Sequence, residues 1–205
     1  MKNNDLTTLH KIMSEGKIEF LQKGFKDASL RNIVKNAGLT TGAFYGYFKD
    51  KQALFEALVS PVVEGLKELF MESQVEFDKC SKEFKTENVY DYSSEAGARF
   101  VDYIYDNFEE FKLLVCCADG TEFEEFIHDI VDVEVEYTFK FINSTNNDAV
   151  ISGRITPDLI HIVASAFFTA IFETVKHDMP KEEAKRYTKN LRAFFTAGWK
   201  ELLRI

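Results

Sequence analysis

Cysteine is scarce in this chain: three residues in 205, two of them adjacent at Cys116 and Cys117. An odd count this small builds no disulfide framework and suits a reducing compartment. No cluster of Lys, Arg or His flanks Cys80 or the 116–117 pair to lower a thiol pKa. The cysteines therefore read as small buried hydrophobes, with a thiol sensor as the other reading. Catalytic and metal-binding patterns are also missing. His128 and Asp132 stand at i and i+4, but one histidine and one carboxylate are too few to hold a metal. Asp119-Gly120-Thr121 lacks the alternating oxygen ligands of a calcium loop. With no nucleophile–base pair and no phosphate loop, the expectation is a protein that is not an enzyme and uses no cofactor and no metal. No apolar run opens the chain, and no uninterrupted apolar stretch reaches membrane-spanning length. A cytoplasmic location without a membrane partner follows as an expectation.

Positive charge is scarce overall, with 25 Lys plus Arg against 34 Asp plus Glu and a net charge of -9. It is also unevenly spread. Up to Phe55 the chain has nine basic and five acidic residues, a net of +4, so the remainder carries -13. A globally acidic chain is repelled by nucleic acid, and a positive footprint at one end argues that only this end meets phosphate.

That end contains the most informative segment, 29–48, which reads as two short helices joined by a tight turn. Ser29 caps the first, whose inward face is Leu30, Ile33, Val34 and Ala37. Gly38 supplies the reversal. Thr40 or Thr41 caps the second, and the small pair Gly42-Ala43 would let its backbone approach a duplex closely, as a recognition helix must in a major groove. Threonine and tyrosine hydroxyls (Thr40, Thr41, Tyr45, Tyr47) suit phosphates and base edges. Phe44 and Phe48, at i and i+4, read as core. Lys49 and Lys51, beside the start of a helix capped by Asp50, are the best phosphate candidates. Arg31 and Lys35 read either as weaker contacts or as a solvated face.

The run Ile12-Met13-Ser14-Glu15-Gly16-Lys17-Ile18-Glu19-Phe20-Leu21-Gln22-Lys23-Gly24-Phe25, the Ala37-Gly38-Leu39 turn, the Gly42-x-x-Tyr45-x-Tyr47-Phe48 segment and the Lys51 that opens the next helix resemble the N-terminal domain of TetR-type transcriptional regulators. The resemblance covers about the first 60 residues. Two positions depart from the family pattern. Gly16 stands where alanine is usual, which weakens the first helix, and Gly46 where a longer polar side chain is common. The candidate DNA-contact residues are Ser29, Arg31, Lys35, Thr40, Thr41, Gly42, Tyr45, Gly46, Tyr47, Lys49 and Lys51.

Beyond the head, helical spacing continues to the end, and 45% apolar content with 20 Phe implies a well-filled interior. A long helix is expected from Asp50 to about Phe84, with Leu54, Leu58, Val62, Leu66, Leu69 and Phe70 on one stripe and Pro61 marking a kink. The polar run Lys85-Thr86-Glu87-Asn88 reads as its break. Segments 93–108 and 109–118 follow, and Thr121 to Glu124 has the spacing of a capping box opening a helix to about Ile142. Asn143 to Asp148 is turn chemistry, with Gly153 extending the loop. Thr156-Pro157 opens a helix to about Lys176 that is apolar on most sides, and Pro180 starts the last.

The expected fold is all-α: a three-helix helix-turn-helix head at residues 1–50, then a helical ligand-binding and dimerisation domain at 51–205. Two adjacent C-terminal helices carry more apolar surface than one small domain hides, which favours self-association. The resemblance implies that they form a four-helix homodimer interface, with candidate residues Phe167, Ile171, Val175, Leu191, Phe194, Phe195, Gly198, Trp199 and Leu202. A two-fold dimer would read a palindromic operator. The resemblance also implies a small-molecule effector in a cavity among the middle helices, coupled to the head through the helix that begins at Lys51. Candidate walls are Phe100, Tyr103, Phe111, Phe123, Phe126, Tyr137, Phe141, Phe168 and Phe172, each also readable as core. Beside acidic Asp132, Glu134 and Glu136 they would suit an apolar, aromatic or cationic molecule. The expected partner is double-stranded DNA and the expected role a ligand-released repressor. The other reading is a helical protein-interaction or thiol-sensing module without specific DNA readout.

Overall fold

A computed structural model describes the backbone of residues 3–205 and side chains from residue 6; Met1 and Lys2, within the expected head, lie outside the described residues. Among those described, the chain forms nine helices and no strand: α1 (Asn3–Asp27), α2 (Leu30–Asn36), α3 (Thr41–Tyr45), α4 (Lys51–Asp78), α5 (Lys82–Asp106), α6 (Phe108–Cys117), α7 (Phe126–Ser144), α8 (Pro157–Lys176) and α9 (Lys181–Leu203). The chain divides into two compact units. Unit 1 holds the described residues up to Glu64 together with Asn107–Glu124, and unit 2 holds Gly65–Asp106 and Glu125–Ile205. The boundary therefore falls beyond residue 50, because the first half of α4 and all of α6 pack into the head.

In unit 1, α1 packs on α2 and along α6. Phe20 and Phe55 are fully buried and meet edge to face at 5.2 Å, and Phe25 approaches Phe55 at 5.4 Å. Phe44 and Phe48 are both buried, as their spacing predicts. Lys17 reaches from α1 to Glu109 at 3.1 Å and to Glu110. Gly16, which looked like a weakness in α1, has a packing reason. A Cβ there would sit 2.7 Å from Cδ2 and 3.2 Å from Cγ of Leu54, which is itself fully buried.

Unit 2 is a bundle of the second half of α4 with α5, α7, α8 and α9. α7 lies along α8, and α5 along α9, the latter pair tied by Lys185 to Asp102 at 2.8 Å and Lys181 to Asp106 at 2.6 Å. Phe141, Ile142, Ala149, Ile155, Ile160 and Leu203 form one core cluster. The helix α8 is long and apolar enough, by length and composition, to cross a membrane. In this fold its Ile160, Ala164, Phe168, Ile171, Phe172 and Val175 are buried in the bundle, as a core helix requires.

Thr156 caps α8 by accepting from Leu159 N at 3.2 Å, as expected. Two local readings are corrected. The expected break at 85–88 lies inside α5, and the chain interrupts the helix at 79–81 instead. Lys85 is buried, its ammonium donating to Asp78 Oδ1 at 3.0 Å and Ser144 Oγ at 3.1 Å, so a residue that reads as solvated is held by partners distant in sequence. Thr121 to Glu124 forms a turn rather than a first helical turn. Glu124 accepts from Gly120 N at 3.1 Å and Thr121 Oγ1 from Phe123 N at 3.2 Å, so both bonds are displaced from the capping-box pattern and α7 begins at Phe126.

Gly16→Ala gains about 1 kcal/mol of helix propensity but overpacks a site where additions cost about 1–3 kcal/mol. The expected result is a net loss on the order of 1 kcal/mol by denaturant unfolding, recovered when Leu54→Val is added to make room.

Candidate nucleic-acid interface and ligand cavity

Serine 29 caps α2, its hydroxyl accepting from Asn32 N at 3.4 Å. The helix ends at Gly38, where φ is +69° and Leu39 N donates back to Val34 O at 3.0 Å, the bonding of a left-handed C-terminal cap. Thr40, of the two candidates, caps α3 by accepting from Ala43 N at 3.2 Å. This turn fixes which side of α3 looks outward: Phe44 is buried, while Thr41, Gly42, Tyr45 and Gly46 are exposed and Tyr45 is 56% exposed. Tyr47 is half-buried. Nothing in the fold demands glycine at position 42. Its φ is not positive, and an added Cβ would meet only Thr40 Oγ1 at 4.0 Å. At Gly46 a Cβ would come within 3.3 Å of the Ala43 carbonyl, a tight fit on an otherwise open surface.

Glu19, which spacing alone did not single out, sets the entry to this motif. It is buried on α1, and its Oε1 accepts from Ser29 N at 3.0 Å and Asn32 Nδ2 at 3.3 Å, anchoring α2 to α1 at the cap.

Lys51 requires a correction. Its ammonium donates to the carbonyls of Phe25 at 2.6 Å, Lys26 at 3.1 Å and Ala28 at 3.0 Å, and lies 4.6 Å from the Phe25 ring centroid. An ammonium has three donors, and all three are committed, so Lys51 holds the end of α1 rather than a phosphate. Lys49, Arg31 and Lys35 are exposed and remain as cations for an anionic partner, beside Asp50, which caps α4 through Ala53 N at 2.8 Å.

The charge of unit 1 also differs from that of its sequence segment. Glu56 and Glu64, then Glu109, Glu110, Asp119, Glu122 and Glu124 against Lys112, take the +4 of the first 55 residues to -2. Glu109, Glu110 and Asp119 pair with Lys17 and Lys26. Lys11 and Lys23 on α1, Arg31 and Lys35 on α2, and Lys49 after α3 remain exposed, the last three within the helix-turn-helix segment itself.

Unit 2 contains a partly open cavity of about 190 Å³. A water needs about 10–15 Å³ on this scale, so a small organic molecule fits. Of the expected walls, Phe100, Tyr137, Phe141 and Phe168 line it, joined by Phe70, Phe77, Tyr90, Tyr92, Phe167 and Trp199. The others do not. Phe111 is in the core of unit 1, Phe123 packs on Phe55 at 6.3 Å, Phe126 on Phe172 at 5.1 Å, and Tyr103 lies across Gly65. Asp132 and Glu136 are exposed, and only Glu134 of the acidic set reaches the cavity. Burial raises the Glu134 carboxyl above the usual range, opposed by the bond from Gln74 Nε2 at 2.8 Å and by the charge of Arg192. Burial also lowers the proton affinity of Arg192, which donates to Ser93 O at 2.7 Å and sits 5.3 Å from the Phe167 ring centroid. The Tyr90 hydroxyl is buried without a hydrogen-bond partner among the described residues.

The residues proposed for an interface between copies are also redistributed. Ile171 and Val175 are buried within unit 2, Phe167 and Trp199 line the cavity, Phe195 packs on Phe167 at 5.3 Å, Leu202 packs on the core cluster and Leu191 is half-buried. Phe194 and Gly198 are exposed. The exposed stripes are instead Ile162, Ala166 and Thr169 on α8, with Tyr187, Phe194, Ala197 and Gly198 on α9. Ile162 is 64% and Phe194 74% exposed. Cys117 is buried and its thiol is pushed up to about 11 by desolvation, while Cys116 is exposed and Cys80 half-buried.

A capped helix, a left-handed glycine turn and a short second helix with one buried aromatic and one open face define a helix-turn-helix domain of the DNA-binding class. Residues 12–58 match the family of bacterial regulatory proteins designated tetR, and this N-terminal segment is a tetR-family domain. The chain is 37% identical over 60 residues to the HTH-type transcriptional regulator YdgC of Bacillus subtilis, covering 29% of this chain and 31% of that one. It is 41% identical over 58 residues to the HTH-type transcriptional regulator AcrR of Shigella flexneri, covering 28% and 27%. The match thus spans under a third of each curated relative. The fold of the whole chain resembles that of a transcriptional regulator from Aquifex aeolicus, with a TM-score of 0.59 and 18% identity over 93% of this chain and 98% of the other.

Lys51→Ala is expected to lower the stability of unit 1 by on the order of 2 kcal/mol, the scale for bonds from a charged donor, as read by denaturant unfolding. Lys49→Ala is expected to leave stability within about 0.5 kcal/mol. Alkylation at about pH 8 is expected to label Cys116 readily and Cys117 only on unfolding, as mass spectrometry of the labelled peptides would report.

Proposed function

We propose that this chain is a ligand-responsive, dimeric transcriptional regulator of the cytoplasm, a binding protein rather than an enzyme, which represses from a palindromic operator. The observation that carries this reading is the outward face of α3. Thr41, Gly42, Tyr45 and Gly46 lie exposed beside Lys49, Arg31 and Lys35, and the missing side chain at Gly42 has no explanation within the fold. A face thinned at the N-terminal turn of a recognition helix lets that turn approach base edges. In this reading Thr41 and Tyr45 touch bases and phosphates, while Thr40 and Ser29 act first as caps.

The cavity of unit 2 supports an effector with an aromatic or apolar body and a polar end. Stacking surfaces surround it, and Glu134, Arg192 and the Tyr90 hydroxyl offer one acceptor and several donors. Glu134 and Arg192 offset one another's charge, which favours a neutral or mixed-charge molecule over the simple cation suggested by the acidic sequence context. The exposed stripes on α8 and α9 support a two-fold interface with a second copy of the chain. α4 belongs to both units and is the element through which effector binding would reach the head.

Selection from a random duplex library tests the reading. The expected product is a palindrome of two half-sites, bound with a log affinity against log salt slope that falls by about 1 per half-site in Lys49→Ala. Thr41→Ala is expected to relax preference at one base position. Phe194→Glu is expected to convert a dimer to a monomer in sedimentation and to weaken operator binding. Recovery of no enriched sequence by a folded, dimeric protein would overturn DNA readout.

A further inference from the structure

The sequence pairs His128 with Asp132 one turn apart on α7, a set too small to hold an ion, and the fold brings a third donor from α8. The rings of His128 and His161 are 4.9 Å apart between centroids and inclined at 70°. One donor atom from each of His128, Asp132 and His161 lies within 4.8 Å of the other two. The neighbouring carboxylate Asp129 is occupied by Lys67 at 2.6 Å, whereas Asp132 has no ion pair among the described residues. His128 and Asp132 are exposed and His161 is half-buried.

We propose that these three residues bind a divalent transition-metal ion of the zinc class, clamping α7 to α8 and leaving coordination positions open toward solvent. A tetrahedral ion with bonds of about 2.1 Å holds its ligands about 3.4 Å apart. The remaining gap closes by rotation of His128 and Asp132, whose exposure leaves their rotamers free, with the two packed helix backbones in place. Two imidazole nitrogens and one carboxylate oxygen suit zinc, cobalt or nickel. They do not satisfy calcium or magnesium, which prefer six or more oxygens or near-octahedral oxygen shells. The ligands come from two helices and converge only in the folded bundle, so binding is linked to the stability of unit 2.

The test uses the full chain without DNA, which separates its outcome from that of the regulator reading. Cobalt(II) titration is expected to give one saturable equivalent with visible d–d bands and no thiolate charge-transfer band. Zinc at about a hundredfold over its dissociation constant is expected to raise the melting temperature by roughly 5 °C or more. His128→Asn and His161→Asn each weaken the ion by at least roughly tenfold, and Asp132→Asn does so to a similar extent. His10→Asn and His177→Asn, at the other two histidines, bind as the wild type does. Melting of each variant without metal, expected to match the wild type, excludes a folding defect. Absence of saturable binding, binding that survives His161→Asn, or a thiolate band placing the ion on a cysteine would overturn the proposal.

Discussion

The Lys51 ammonium joins the ends of three segments. α1 turns out of helical geometry at Gly24, where φ is 72° and ψ 167°, and the carbonyls of Phe25, Lys26 and Ala28 that follow have no continuing helix to accept into. An unpaired, partly buried carbonyl costs about 1–3 kcal/mol, and a helix C-terminus carries partial negative charge. One cation answers all three carbonyls. Because Lys51 is also the first residue of α4, the same contact fixes where that helix starts. On the other side of the turn, Glu19 accepts from the backbone of Ser29 and so fixes the start of α2. The orientation of the helix-turn-helix thus depends on two charged side chains that never touch its outward face.

This arrangement changes how the basic character of the head should be understood. Lys17, Lys26 and Lys51 contribute a third of the basic residues up to Phe55, yet each has partners inside unit 1. Lys17 and Lys26 face carboxylates of Glu109, Glu110 and Asp119, and Lys51 faces carbonyls. Pairs as exposed as Lys26 with Asp119 add little stability, but they do neutralise charge that the linear sequence displays as free. Attraction to a polyanion falls off over a Debye length of roughly 8–10 Å. The placement of Arg31, Lys35 and Lys49 within the helix-turn-helix segment therefore matters more than the net charge of a unit that is slightly acidic.

The sequence was most legible where the governing contacts are local. Ser29, Thr40, Asp50 and Thr156 cap the helices their spacing predicts, Gly38 makes the turn, and Phe44 with Phe48 enters the core, because each depends on residues within about four positions. Legibility failed where the partner is remote. Lys85 looks like a solvated break until Asp78 and Ser144 are placed around it. Lys51 looks like a phosphate ligand until three carbonyls approach it. The aromatic residues show the same limit: periodicity identifies them as inward-facing but cannot say which interior they face, so Phe111 and Phe123 went to unit 1 while Phe70, Phe77 and Tyr92 became cavity wall.

Arg192 and Gly97 carry that logic into unit 2. Glycine within a helix costs about 1 kcal/mol relative to alanine, and Gly97 sits mid-helix in α5. A Cβ there would lie 1.4 Å from the Arg192 guanidinium, so no side chain fits while Arg192 keeps this position. The guanidinium is in turn half-buried and partly desolvated, which is unfavourable unless its donors and charge are answered. Ser93 answers in part through its carbonyl and hydroxyl, and Glu134 answers electrostatically across the cavity at the expense of its own desolvation. Replacing partly buried ionic groups of this kind by apolar side chains of similar volume is often neutral or stabilising, and filling the adjacent space would add packing contacts. The bundle instead concentrates a helix-weakening glycine, a desolvated arginine, a carboxyl of raised pKa and the unpartnered Tyr90 hydroxyl around one cavity. These are local departures from the most stable core, and their convergence at one place is the physical support for the proposal that this place holds a ligand rather than a packing defect.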